Sequence, residues 1–335
     1  MTASDTGTGG SPTSEFAGGV VDFVRTSRSR EYPDGLYVGL MGFPDFLPYA
    51  RIVIGNGPVP PGLGIDEARV TDVLAANIAA AGTGDPLYAN APDTATPRGW
   101  SWHHDPLERR FLLLPADVKN NMAHHGGVAT MRANRARTGL WSPVEQPRVP
   151  AEISTGSGLS DGDLNHLEST YLEYRLPESY RTFMIENGGG APVHPVVHPH
   201  HGFVLDQQFF NLYGDPDPYD LLDNMVLMAD RLTVDHLPIA WVQGGALVLR
   251  TQGAGSGSIL YWDNDDRRTR QGDTPEISVS RLEYLADDIF TLLEDELIQV
   301  PAELEKVSRS AVSGGFFRPV TPDNAGAGLP AGLRA

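Results

Sequence analysis

Two closely spaced pairs of histidines restrict the possible folds of the segment 99–127. The stretch Gly99–Gly127 reads GWSWHHDPLERRFLLLPADVKNNMAHHGG, with the apolar run Phe111–Leu114 between His103–His104 and His124–His125. Four histidines within 23 residues favour a metal site, because histidine is the commonest metal ligand in proteins. The spacing suits a compact unit of two strands and a helix. One histidine pair would lie at a strand end and the other on or near the helix that follows.

The same stretch resembles the HNH/endonuclease VII superfamily, in particular its toxin-type members with a Trp-His-His signature, here Trp102–His104. The resemblance covers roughly residues 32–127 and extends upstream through the Gly-Phe-Pro-Asp-Phe segment Gly42–Phe46. Leu113–Pro115, and His124 followed by Gly126–Gly127, also stand where the family pattern has them. The resemblance implies a ββα-metal fold and a bacterial toxin-type endonuclease that hydrolyses the phosphodiester bonds of a nucleic acid.

The resemblance also implies which residues carry the chemistry. His103 and His124 would bind one divalent metal ion (Mg, Mn, Ni or Zn), and His104 would be the general base that activates water. Arg109 and Arg110 would either contact backbone phosphates or be solvent-facing residues at strand ends. The sequence does not choose between DNA and RNA as the substrate.

The chain departs from the family pattern at Lys119, where a histidine ligand usually begins the metal-site helix. An ammonium group cannot ligate a cation until it loses its proton. The ligand set is therefore either rebuilt, with Asn120, Asn121 or His125 as a substitute, or it is broken. In the second case the chain is a non-catalytic binding protein with a degenerate nuclease domain. As a cation in a basic segment, Lys119 is also a candidate nucleic-acid contact.

The distribution of charge is compatible with a nucleic-acid substrate, although the formal net charge of the chain is −18. Phosphate contacts need Lys and Arg, and Arg98–Arg137 has seven basic and three acidic residues, a net charge of +4. By contrast, Asp161–Val300 has 24 acidic and 8 basic residues, a net charge of −16. The chain has no cysteine, so His, Asp, Glu, Asn or water would have to hold any metal.

The length of 335 residues suits two domains. Composition predicts a disordered leader at 1–30, a first domain at 31–142, a Pro- and Gly-rich linker at 143–160, a second domain at 161–300 and a flexible tail at 301–335. The resemblance implies that the first domain is the nuclease. No apolar run approaches about 18 residues, and the N-terminus does not look like a signal peptide. The sequence therefore predicts a cytoplasmic protein without a membrane segment, or a toxin exported without a cleaved signal.

Hydrophobic periodicity predicts an α+β fold for both domains. In the first domain it predicts strands at Tyr37–Met41 and Tyr49–Ile54 and a helix at Ile65–Ala81. The second domain is predicted to have two helices, a strand meander and a closing helix, with the helices packed against an antiparallel sheet. These elements are Leu164–Arg175, a helix from Pro177 to Asn187-Gly188-Gly189, strands Ile239–Gln243, Gly245–Thr251 and Ile259–Trp262, and one helical face from Leu282 to Leu297.

The second domain resembles the SUKH superfamily, which contains bacterial immunity proteins. The resemblance spans nearly all of Asp161–Val300 and rests on several short motifs in order. They are Leu176-Pro177, Tyr180, Phe183, Asn187-Gly188-Gly189, Leu237–Ala240, Gly257–Trp262 and Ala286–Leu297. It implies a protein-binding domain, typically one that neutralises a nuclease toxin.

A second histidine cluster lies in the loop 194–223 of this domain, at His194, His198, His200 and His201. Prolines at 192, 195 and 199 break regular structure there, so we expect these histidines to be structural or incidental.

Together the two resemblances predict a metal-dependent nuclease fused to a SUKH domain, with a third possibility of an unrelated interaction protein whose histidines are incidental. The SUKH domain would bind either a nuclease toxin on another chain or the basic nuclease face of its own chain. In the second case a linker of roughly twenty residues would hold the two at an effective concentration near the millimolar range. The inhibition would then weaken as salt rises, because exposed charges are screened.

Overall fold

In a computed structural model of the chain, the structure describes residues 16–23, 31–32, 34–56, 65–106, 110–121, 124, 127–128, 151–214, 217–266 and 273–320. We call 16–128 the first half and 151–300 the second half. The elements of the first half are β1 (Val20–Val21), β2 (Leu36–Tyr37), β3 (Ile52–Asn56), α1 (Ile65–Ala81), β4 (Trp100–His104), β5 (Arg110–Pro115) and α2 (Ala116–Asn120). Strands β4 and β5 and helix α2 follow one another in the strand, strand, helix order that the sequence predicts.

Strands β3, β5 and β4 lie side by side in an antiparallel sheet, with β4 at one edge. Successive side chains of a strand point to opposite faces. Phe111 and Leu113 of β5 therefore pack with α1, while Leu112 and Leu114 pack with Phe46 and its neighbours on the other face.

Helix α1 occupies the bounds that the sequence predicts, and it is buried on two sides. Val73 packs against the sheet of the first half. Val70 and Leu74 instead contact Val197 and Ile298 of the second half. A helix that is apolar over most of its circumference is buried by more than one neighbour, so α1 joins the two halves through a shared core.

The predicted strands of the first half are only partly regular. Strand β2 ends at Tyr37, and Leu40 and Met41 lie in an exposed turn. The expected strand at 49–54 begins as a short 3₁₀ turn, Leu47–Tyr49, because Pro48 suits a helical first turn, and β3 starts only at Ile52.

The second half has the predicted α+β architecture. Its elements are α3 (Asp161–Leu167), α4 (Glu178–Asn187), β6 (Val196–Val197), β7 (Val204–Leu205), α5 (Leu221–Leu227), β8 (His236–Val242), β9 (Gly245–Arg250), β10 (Ile259–Asp263), α6 (Pro275–Val279), β11 (Glu283–Ala286), α7 (Ile289–Thr291) and β12 (Ile298–Gln299). Strands β8 to β11 form an antiparallel meander, and β12, β6 and β7 form a smaller antiparallel sheet. A wider helical turn, Glu168–Leu172, extends α3, and Gly188 ends α4 in the left-handed conformation.

The prediction of one helical face from Leu282 to Leu297 is wrong. Residues Glu283–Ala286 form β11, where Tyr284 is exposed and Leu285 is buried, as strand alternation requires. Asp288 then begins α7, because its carboxylate accepts a hydrogen bond from the Thr291 N–H. A wider helical turn completes the helical part at Leu292–Glu296.

The prediction of a flexible tail from residue 301 is also wrong for the described residues 301–320. Helix α8 (Ala302–Ser313) packs on α1, and the Ser308 hydroxyl donates to the Thr71 carbonyl at 3.0 Å. Strand β13 (Phe317–Pro319) then pairs with β3 and extends the sheet of the first half. The Gly-, Pro- and Ala-rich composition of this segment does not predict a packed helix and strand. Its buried residues Leu304, Ala311 and Phe317 are widely spaced and form no apolar run.

The predicted leader and linker also contain ordered segments. Val20 and Val21 pair with β2 inside the predicted leader 1–30. At the end of the predicted linker, the Ala151 N–H donates to the Leu293 carbonyl, and Ile153 bridges Pro192. Both segments are held by main-chain hydrogen bonds. The rest of the leader and linker predictions, at 1–15, 24–30 and 143–150, falls outside the described residues.

Within the part of the chain that the structure describes, no helix has the length and apolar character needed to cross a bilayer.

The return of the C-terminal segment predicts that Phe317 stabilises the first half. Phe317 is buried with its ring 5.8 Å from that of Phe111, whereas Phe316 is 50% exposed. Phe317→Ala should lower the free energy of unfolding by about 3 kcal/mol, since it leaves a cavity in the core. The matched variant Phe316→Ala should change it by less than about 0.5 kcal/mol. Urea unfolding measures both. Equal and small effects would show that the segment does not belong to the fold.

Candidate metal and catalytic site

His103 and His104 point to opposite faces of the edge strand β4, because neighbouring residues of a strand alternate. The His103 ring packs against Phe46, with ring centroids 4.8 Å apart. His104 faces α1 on the other side, where its Nε2 lies 3.8 Å from Oδ2 of Asp72. Since β4 is at the sheet edge, one cavity beside that edge is lined by both histidines.

The two predicted metal-binding histidines lie side by side. The ring centroids of His103 and His124 are 5.2 Å apart, and both rings contact Phe46. Burial lowers the pKa of His103 well below its usual value, and the nearby His124 and Lys119 add to the effect. His103 is therefore neutral at pH 7, the form in which imidazole binds a metal.

The fit to a metal ion is partial. Two imidazoles suit Zn, Ni or Cu more than Mg. Among the described residues, however, no group of three or more His, Cys, Asp or Glu side chains is placed to hold one ion. His125, a predicted substitute ligand, lies outside those residues. Asn120 and Asn121 are buried, and their main-chain carbonyls accept hydrogen bonds from Arg231 of the second half.

Asp72 is a site residue that the sequence analysis did not identify. It is almost fully buried, and neither its Oδ2 nor His104 Nε2 has a hydrogen-bond partner. The His104 ring packs on Phe111 at 4.3 Å between centroids, which fixes its orientation. The available signal was a carboxylate at 72 between the buried positions Val70 and Leu74 of a predicted helix.

The close approach of the segment after His124 to β4 explains why residue 127 is a glycine. A Cβ atom at Gly127 would lie 2.7 Å from the Asp105 carbonyl oxygen and 3.0 Å from the His104 Cβ. Only a residue without a side chain allows the segment after His124 to pass this close to β4.

Lys119 is buried instead of facing solvent, which leaves its predicted contact with nucleic acid without support in this arrangement. Its side chain reaches Ser101 of β4, and Nζ donates to Oγ at 2.9 Å. Burial lowers the pKa of Lys119 to about 8, although the carboxylates of Asp265 and Asp206 oppose this shift.

Of the two arginines predicted to contact phosphates, the structure describes Arg110. The Arg110 Nε lies 2.7 Å from Asp105 Oδ2, and both side chains are largely buried. Arg109 lies outside the described residues.

The second histidine cluster packs within the second half. His198 is buried against His201 and Phe203, and burial lowers its pKa to about 3. His201 Nδ1 lies 2.6 Å from Glu283 Oε2. These contacts account for His198 as a packed core residue and for His201 as the partner of a carboxylate.

The cavity beside β4 is covered by the second half. The side-chain oxygen of Gln243 accepts hydrogen bonds from the Trp102 N–H at 3.2 Å and the Ser101 hydroxyl at 3.1 Å. The other lining residues of the second half are Gly244, Asn264 and Asp265. The remaining space is about 20 Å³, which is enough for about one water molecule.

Two family models match the chain. Residues 92–134 match a nuclease of the HNH/ENDO VII superfamily with conserved WHH, and residues 158–295 match the SMI1/KNR4 family, SUKH-1. Both resemblances inferred from the sequence are thereby confirmed, in the predicted order, although the matched segment does not reach Gly42–Phe46. A comparison with curated proteins found no match to the chain.

The chain therefore contains a segment that matches the WHH nucleases of the HNH/ENDO VII superfamily, followed by a segment that matches SUKH-1. This combination supports a fusion of the nuclease-toxin and immunity type. The WHH match contains β4, β5 and α2, and the SUKH-1 match contains most of the second half.

The lowered pKa of Lys119 predicts a pH-dependent stability. Between about pH 8 and about pH 10.5 the unfolded chain keeps this proton while the folded chain loses it, so the free energy of unfolding rises with pH. The slope is at most about 1.4 kcal/mol per pH unit. Urea unfolding at pH 7 to about 9.5 should show this rise in the wild type but not in Lys119→Met.

Lys306→Met serves as the matched control, because Lys306 is exposed on α8. It should keep the rise in stability. A rise of the same size in Lys119→Met would assign the effect to another group.

Proposed function

We propose that the chain is a metal-dependent nuclease fused to an immunity-type domain that neutralises nucleases. The observation that carries this proposal is the neighbouring pair His103 and His124, inside the segment that matches the WHH nuclease family. His104 lines one cavity together with His103. The substrate would be a nucleic acid, either DNA or RNA. The SUKH domain would bind the nuclease half of its own chain or a nuclease toxin on another chain.

His103 and His124 would hold the divalent ion, with Asn120 or His125 as a further ligand. When bound, the ion would supply stabilisation of the negative charge that develops on the phosphate and the leaving oxygen. The candidate ions are Mg, Mn, Ni and Zn. The two imidazoles favour the transition metals among them.

His104 would take the proton from the attacking water as general base. Asp72 supports this role, because a carboxylate 3.8 Å from Nε2 stabilises the imidazolium that forms. Phe111 holds the ring in place through its contact at 4.3 Å between centroids. Asp72 would be a positioning residue, since it faces His104 on the side of α1.

A second candidate function is that of a non-catalytic binding protein with a degenerate nuclease domain. The buried Lys119 favours it, because a positive charge near His103 opposes the binding of a cation. Metal binding by the full chain separates the two functions.

The role assignments predict that the histidine variants fall into two classes. In the full chain, His103→Ala and His124→Ala should weaken the binding of Ni²⁺ or Mn²⁺ in calorimetry, because each loses an imidazole ligand. His104→Ala should leave the metal affinity nearly unchanged. In a Gln243→Ala background, which removes the hydrogen bonds that hold the second half over β4, it should lower the cleavage of plasmid DNA or RNA by about 10²–10⁴-fold. Equal loss of metal binding in all three variants would contradict the role of His104. No metal binding by the wild type would favour the degenerate domain.

Lys119→His tests whether the ligand set has lost a member. A neutral imidazole in place of the ammonium should tighten divalent-metal binding by about tenfold or more, and increase cleavage when Gln243→Ala loosens the contact of the second half with β4. Lys119→Met removes the charge without adding a ligand and serves as the control. If both variants bind metal equally well, the gain comes from the lost charge, and position 119 is not a ligand position.

A further inference from the structure

Arg69 of α1 is a buried cation in the cavity that contains the candidate catalytic residues. Its side chain is 1% exposed, and it lines the same cavity as His103, His104 and Lys119. The guanidinium faces the second half. Its Nη2 lies 2.9 Å from Asp265 Oδ2 and 3.6 Å from Asp263 Oδ1, and its Nη1 lies 3.3 Å from the Tyr261 hydroxyl.

The carboxylates that contact Arg69 present negatively charged oxygen acceptors, as a phosphate group does. A guanidinium presents N–H donors in a planar fork that binds carboxylates and phosphates in the same way. Asp263 and Asp265 place two carboxylates against this fork. Asp265 also lines the cavity that contains His103 and His104, the histidines proposed to act on a phosphodiester.

The turn between β8 and β9 also lies over the cavity. We call Gln243, Gly244, Asp263 and Asp265 of the second half the cover. Gln243 hydrogen-bonds to the edge strand β4. The next residue, Gly244, has φ +116°, and a Cβ atom there would lie 2.7 Å from Arg69 Nη1. A side chain at 244 would therefore displace the guanidinium, so the turn is shaped to fit against Arg69.

We propose that Arg69 is a phosphate-binding residue of the nuclease half, and that Asp263 and Asp265 occupy the place of the substrate phosphate. Gln243 and these carboxylates hold the cover closed over the site. The inference rests on the proposed nuclease function and specifies how that site is regulated. With room for about one water molecule, the covered cavity excludes a phosphodiester.

Uncovering the site does not require the two halves to separate. Val70 and Leu74 hold the halves together through an apolar cluster with Val197, Val204, Ile298 and Leu304. Movement of the β8–β9 turn and of Asp263–Asp265 would be sufficient. Because the Arg69 contacts are buried, salt screens them much less than exposed pairs. The closure should therefore resist salt, unlike the exposed charge contact expected from the sequence.

The test uses the full chain with Gln243→Ala, Asp263→Asn and Asp265→Asn combined, in a His104→Ala background that prevents cleavage. Fluorescence anisotropy measures the binding of short labelled single-stranded DNA, duplex DNA and RNA. The uncovered chain should bind at least one of these probes about tenfold or more tightly than the His104→Ala chain. Adding Arg69→Gln should remove that gain.

Asp217→Asn in the same background is the matched control. Asp217 Oδ2 also pairs with an arginine of the first half, Arg98 Nη2 at 2.6 Å, but this pair is more exposed and lies outside the cavity lining. It should leave nucleic-acid binding unchanged. Asp265→Asn alone, which keeps Asp263 as a partner of Arg69, provides a milder variant and should give a smaller gain.

Hydrogen exchange of the β4 main chain reports uncovering without any ligand. Faster exchange together with tighter binding that depends on Arg69 supports the proposal. Faster exchange without tighter binding, or tighter binding that survives Arg69→Gln, would overturn the phosphate role of Arg69. Unchanged exchange and binding in a folded chain would overturn the cover.

The failure of the nuclease function has a different signature. In that case the uncovered chain with His104 restored binds nucleic acid through Arg69 but binds no metal and cleaves nothing.

Discussion

Strand β4 needs a partner at its outer edge, and the side chain of Gln243 supplies one. An edge strand presents main-chain polar groups that must find partners outside the sheet. Here the second half covers the edge through the hydrogen bonds to Ser101 and Trp102. Since His103 and His104 belong to the same strand, the contact that satisfies the edge also encloses the candidate site. The enclosure contributes to the burial that lowers the pKa values of His103 and Lys119.

The two halves form a continuous structure because α1 and the C-terminal segment contribute side chains to two apolar clusters. One cluster lies under the sheet of the first half, and the other joins α1 to the second half. Helix α1 contributes to the core under the first sheet and to the cluster beneath β6, β7 and β12. Helix α8 and strand β13 then bring the chain back onto α1 and β3. At the end of α2, Arg231 of the second half donates to the buried main-chain carbonyls of Asn120 and Asn121. A helix leaves such C-terminal carbonyls without partners of its own. The half that matches SUKH-1 thus completes the fold of the half that matches the WHH nucleases, as well as covering its cavity.

The errors of the sequence analysis have a common origin. The 282–297 pattern contains leucines at helical spacing, but strand pairing with β10 takes Glu283–Ala286, and Asp288 caps only a short helix. Composition suggested a flexible tail after residue 300, yet Phe317 has a place in the core beside Phe111. In both cases a partner distant in sequence decides the structure of a short segment, and local periodicity contains no information about that partner.

The sequence by itself determined the two families and their order, the bounds of α1, the strand, strand, helix order around the histidines and the closeness of His103 to His124. These features depend on local periodicity and on short motifs, which involve only residues close together in the chain. Only the tertiary structure decided that His103 and His104 face opposite sides of an edge strand, that Asp72 meets His104, that Lys119 is buried and that Asp265 meets Arg69. These contacts join residues far apart in the chain. Burial then makes unpaired charges costly, so the charged groups at the contact between the halves are brought to partners that no local pattern identifies.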